Sequence, residues 1–88
     1  MFASVGVETT KKVSEAEIRG ALEELDEGEY GMVVRAKGIV PTDDGRWIHF
    51  DYVPGEIDIR YGKASIIGRL CVIGSHIDKE KIKELLGV

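Results

Sequence analysis

Positive charge is in short supply in this chain of 88 residues. Twelve Lys and Arg stand against sixteen Asp and Glu, for a net charge of −4. A general nucleic-acid binder shows the opposite balance, so nucleic acid is not expected as a partner. Cysteine is nearly absent. The single thiol, Cys71, can close no disulfide within the chain, and the composition reads as intracellular. Long apolar runs are missing too, and nothing approaches the ~20 residues a bilayer-spanning helix needs. The opening residues, MFASVGVETTKK, lack the cationic segment and apolar run of a secretory leader. A cytoplasmic domain without membrane contact is expected.

The motifs that carry chemistry are also missing. There is no Gly-x-x-x-x-Gly-Lys-Ser/Thr loop for phosphate and no Gly-x-Gly-x-x-Gly turn for a dinucleotide. No serine sits in a nucleophile elbow, and no Cys-x-x-Cys occurs. An enzyme gathers several polar groups into one pocket, and here few are available. The chain therefore reads as a non-catalytic module with no cofactor.

What is present is a set of well-marked elements. Ser14 followed by Glu17 forms a capping box, in which each side chain satisfies a backbone N–H of the other. Ile18, Ala21, Leu22 and Leu25 then fall on one helical face, and Gly28 supplies a stop. Before this helix, Ala3, Val5 and Val7 alternate with Ser4, Gly6 and Glu8, as in a strand with one buried face, although residues 1–12 are expected to fray in part. After it the period changes to two. Tyr30, Met32, Val34 and Ala36 alternate with Gly31, Val33, Arg35 and Lys37. Ile48, Phe50 and Tyr52 do so after the turn residues 41–45, and Ile57, Ile59 and Tyr61 after Pro54-Gly55. Residues 70–73 make a more buried strand, and Asp78 caps a final helix striped by Ile82, Leu85 and Leu86.

The order is β-α-β-β-β-β-α. It predicts an α+β two-layer sandwich: one mostly antiparallel sheet, its last four strands a meander, with two helices on one face. By size scaling, about 64% of the unfolded surface is buried, enough for one core without a metal or disulfide.

Three stretches are more specific than their composition. They are Gly31-Met32-Val33-Val34-Arg35-Ala36-Lys37-Gly38, then Trp47 with Phe50-Asp51, then Gly68-Arg69-Leu70-Cys71-Val72-Ile73-Gly74, followed by the closing helix. In this order and spacing the chain resembles the C-terminal domain of the CobW family, closely over residues 30–88, and the helix at 14–27 sits where the family has one. Those proteins are P-loop GTPases linked to cobalamin synthesis and to the delivery or homeostasis of zinc, cobalt and other metals. Their phosphate loop and Cys-x-Cys-Cys metal motif lie in an N-terminal GTPase domain, and neither occurs here. The resemblance thus implies one accessory domain over residues 1–88, as a fragment or a stand-alone copy, without GTPase activity of its own. It implies as partners a CobW-type GTPase domain, in cis or in trans, and a metal-receiving client protein.

Residue parity selects the candidate site. If the helices cover the Met32/Val34 face, Arg35 and Lys37 point the other way, together with Trp47, His49 and Asp51 and with Asp58 and Arg60 beyond. Arg35, Lys37, Trp47, His49 and Asp51 form the expected interaction face, since exposed Trp with Arg is typical of docking hot spots. The plain alternative is a solvated face laced with ion pairs. A second functional reading is a weak zinc or cobalt site built from His49 and His76, with Cys71 as a third ligand. Cys71 in an apolar run more often packs as a small hydrophobe. A homo-oligomer formed through a sheet edge is a further outcome open to such a domain.

Overall fold

The helix caps form as their chemistry dictates. In the computed structural model, which describes residues 2–87, the Ser14 hydroxyl accepts the Glu17 N–H at 3.1 Å, and the Glu17 carboxylate accepts the Ser14 N–H at 3.1 Å. Helix α1 then runs over Glu15–Asp26 and buries Ile18, Ala21, Leu22 and Leu25. Its exit needs a left-handed residue, which Gly28 supplies at φ +87°. Helix α2, Lys79–Leu86, is capped by Asp78, whose carboxylate accepts the Lys81 N–H, and it ends on left-handed Gly87.

Five strands make one antiparallel sheet: β1 (Phe2–Thr9), β2 (Met32–Pro41), β3 (Trp47–Val53), β4 (Glu56–Gly62) and β5 (Gly68–Ser75). Their spatial order is β1-β5-β2-β3-β4. The α+β sandwich is therefore found, with a topology finer than expected. Strands β2, β3 and β4 form a meander, but β5 returns across the end of the sheet to lie beside β2. That is a Greek key rather than a four-strand meander. Residues 2–9 are not frayed, because β1 pairs with β5 along its whole length, from Phe2 opposite Ser75 to Thr9 opposite Gly68.

One local irregularity revises the parity of β2. The register against β5 shifts between Val33 and Arg35, so a bulge reverses the alternation there. Val33 and Ala36 both turn toward the helices, at 5% and 1% exposure, whereas Met32 stands out at 69%. The covered face is thus Val33/Ala36/Val40 and not Met32/Val34. Beyond the bulge the expected alternation holds.

The core lies between that face and the helices. Ala36, Val40, Ile48, Phe50, Tyr52, Leu70 and Val72 meet Leu22, Leu25, Ile82 and Leu86, with Ile57 and Ile59 packed at the margin. Gly38 is required here. A Cβ at this position would come within 2.6 Å of both the Phe50 ring and the Arg69 carbonyl, so Phe50 fills the space a side chain would take. Two polar ties fix the ends of α1 to the sheet. The Val13 N–H donates to the Pro41 carbonyl at 3.0 Å, and Asp26 accepts the Tyr52 hydroxyl at 2.6 Å and the Gly55 N–H at 3.1 Å. With both helices on one side, the other side of the sheet is left uncovered.

Candidate docking face

Strand pairing determines which side chains meet on that uncovered side. At one level across the sheet lie Gly6, Cys71, Lys37, Asp51 and Asp58, each the register partner of the next. The next level is Glu8, Arg69, Ile39, His49 and Arg60. Ser4, Ile73 and Arg35 begin the level on the other side. Gly6 has open space where a Cβ would stand. Small residues on β1 and longer ones on β2, β3 and β4 leave an open concavity of about 850 Å³, lined among others by Arg35, Lys37, Ile39, Arg60, Arg69 and Cys71.

Asp51 is the electrostatic centre of this face. It receives a two-point bond from Arg35, Nε to Oδ1 at 3.3 Å and a terminal nitrogen to Oδ2 at 3.0 Å. This bond holds the Asp51 carboxyl below its usual pKa, with further help from the charges of Arg35, Arg60 and Lys37, against a partial desolvation cost. The same contact raises the Arg35 pKa. Arg60 pairs with Asp58 beside it on β4. Among the described residues, Lys37 and Arg69 form no ion pair, and the only side-chain bond of Arg69 is a long one to Ser65 Oγ at 3.5 Å. The His49 ring leans toward Gly62, and its Nε2–H donates to the Lys63 carbonyl at 2.8 Å.

The fold brings Arg35, Lys37, His49 and Asp51 onto one surface, with half-buried Trp47 at its margin opposite Pro41 and Gly62. Cys71 is also there, half-buried beside Lys37. His76 is not. It follows β5 at the other end of the sheet, with φ +55° and Nδ1 at 3.0 Å from Ser75 Oγ. About seven residues along β2 separate its level from that of His49, roughly 20 Å. Among the described residues, no three His, Cys, Asp or Glu side chains come together as a metal site would require. Arg69, Glu8 and Gly6 belong to the face but escaped the sequence reading. Their parity was legible, but the pairing of β5 with β2 and β1 was not, because it depends on the return of β5 across the sheet.

This architecture defines an α+β domain with one covered and one open sheet face. Residues 2–88 match the sequence model of the cobalamin synthesis protein CobW C-terminal domain, and the chain belongs to that family. Among solved structures, the Zn(II)-bound YjiA GTPase from E. coli superposes with a TM-score of 0.80 at 20% identity, over 98% of this chain and 29% of that one. A Zn(II)-bound triple mutant of YjiA gives 0.82 at 19% identity, again over 98% and 29%. At this identity the likeness is one of fold. The chain spans 29% of the length of these GTPases and corresponds to the C-terminal domain, not to the catalytic GTPase domain. No curated protein matches the sequence. No helix among the described residues is long and apolar enough to cross a membrane.

Proposed function

We propose that this domain is the non-catalytic accessory module of a CobW-type GTPase metal chaperone acting in the cytoplasm, and that its open sheet face docks onto a GTPase domain or a client protein. GTP hydrolysis and tight metal binding then belong to the partner domain, and the link to cobalamin synthesis or metal homeostasis comes through it. One observation carries the reading. Both helices lie on one side of the sheet, which leaves Arg35, Lys37, His49 and Asp51, with Trp47 at the edge, as an uncovered and chemically specific surface. Charged and aromatic groups placed in this way are suited to steering and registering a protein partner.

The test is a titration of the chain with a separately purified GTPase domain of a CobW-family protein. Arg35→Glu with Lys37→Glu is expected to weaken association at least about tenfold without unfolding the domain. Association unchanged in the double variant would place docking elsewhere.

A further inference from the structure

The open face differs in charge from the rest of the molecule. It holds Arg35, Lys37, Arg60 and Arg69 against Glu8, Asp51 and Asp58, within a chain where acidic residues outnumber basic ones sixteen to twelve. Two of the four cations are already neutralised, Arg35 by Asp51 and Arg60 by Asp58. Among the described residues, Lys37 and Arg69 form no ion pair, although Asp51 and Glu8 stand opposite them in register, and they are diagonal neighbours: Lys37 is opposite Cys71, two residues along β5 from Arg69. Half-buried Ile39, Cys71 and Ile73 lie beside them.

From this arrangement we infer that the open face accepts an acidic amphipathic helix of a partner protein, whose carboxylates neutralise Lys37 and Arg69 while its apolar residues cover Ile39, Cys71 and Ile73. The inference rests on the docking reading above and specifies the chemistry of the partner. Covering the face strips water from both cations, and a desolvated charge without a counter-charge is strongly unfavourable. Asp51 and Glu8 are opposite but not bonded to these cations, so a partner that covers them gains by bringing carboxylates within ion-pair distance. Diagonal neighbours on adjacent strands stand about 7–8 Å apart, within reach of two acidic side chains three or four residues apart on a helix. A helix is favoured over a strand because the inner strands have already spent their backbone groups on pairing. An added strand needs a free edge, whereas a helix satisfies its own backbone.

A second copy of this chain does not supply such a helix. Its acidic helix, α1, carries Glu23, Glu24 and Asp26, but the apolar face of α1 is in its own core. Nucleic acid is disfavoured, because a continuous phosphate chain would run past Glu8, Asp51 and Asp58 on a molecule of net charge −4, whereas a helix presents its carboxylates only at chosen positions.

The experiment uses the full chain labelled with nitrogen-15 and a synthetic amphipathic helical peptide with Glu residues four apart beside a Leu stripe. The controls are the same peptide with every Glu replaced by Gln and a single-stranded oligonucleotide. The inference expects amide shifts centred on Gly6, Lys37, Arg69 and Cys71, and at least about tenfold weaker binding of the Gln peptide. It also expects that Lys37→Glu with Arg69→Glu, checked for folding by circular dichroism, loses the Glu peptide and gains one in which Lys replaces Glu. Equal binding of the Glu and Gln peptides, shifts confined to the helical side, or tighter binding of the oligonucleotide would overturn it. A parallel titration with the GTPase domain keeps the two claims separate. If that domain docks on the open face regardless of charge at Lys37 and Arg69, the acidic-helix inference fails and docking stands. If it does not associate at all, docking to the GTPase domain fails while the peptide result still judges the face.

Discussion

The two sides of this sheet are built from the same strands, yet they follow different rules. On the covered side, Ile48 and Val40 are fully enclosed, and the Tyr52 hydroxyl, which reaches out of the core, is met by Asp26. On the open side, Arg35 and Asp51 form a two-point ion pair that keeps substantial solvent exposure on both partners. The first side stabilises the fold through burial. The second contributes little to stability, because exposed ion pairs are weak and screened by salt. A surface with a specific charge pattern and little role in folding is free to serve recognition. That difference is the physical basis for assigning docking to the open face.

Substitutions on the covered side should break the contrast most strongly. Leu22→Ala, at a site 1% exposed, is expected to cost about 2–5 kcal/mol. Chemical denaturation measures this, and a loss below 1 kcal/mol would mean the helices are loosely seated. Gly38→Ala comes next, at about 1–3 kcal/mol, since the added methyl meets the Phe50 ring and the Arg69 carbonyl. Ser14→Ala removes the cap of α1 and is expected to cost about 1 kcal/mol in the same assay.

Titration sharpens the contrast further. Burial and the bond to Asp26 push the Tyr52 phenol pKa up. A pKa raised in the folded state gives stability that is full below the unfolded tyrosine value of about 10 and is lost as pH rises above it. Among the three tyrosines, Tyr52 should ionise only as the chain unfolds, which tyrosinate absorbance followed alongside circular dichroism would show. Asp26 has the opposite sign. Its pKa is lowered, first by the Tyr52 hydroxyl and then by the Gly55 N–H, so its contribution is present above about pH 4 and fades as pH falls. On the open side, Arg35→Glu with Lys37→Glu should leave the melting temperature within a few degrees of the parent, the smallest stability effect in the set.

Much of this was legible in the sequence, for local reasons. The capping box at Ser14 and Glu17, the α1 stripe and the glycine stop depend on residues within a few positions of one another. So does the alternation in β3, which placed Trp47, His49 and Asp51 on one side. The bulge at Val33–Arg35 was hidden because Met32, Val33 and Val34 are all apolar, so either parity satisfies the pattern. The return of β5 to β2 was hidden for a different reason. Pairing between strands far apart in sequence leaves no local mark, so Arg69 and Gly6 joined the face only once the topology was known. The distance of His76 from His49 has the same origin, and a zinc titration by calorimetry is expected to give no heat that depends on both histidines.

The single thiol offers the most direct test of the central claim. Cys71 lies half-buried on the open face beside Lys37, and no other cysteine in the chain competes with it. Its alkylation can be followed by mass spectrometry with and without a saturating GTPase domain. Docking through the open face predicts that Cys71 becomes protected in the complex and that Arg35→Glu with Lys37→Glu abolishes the protection. A complex that forms while Cys71 reacts at the rate of the free domain would contradict the assignment.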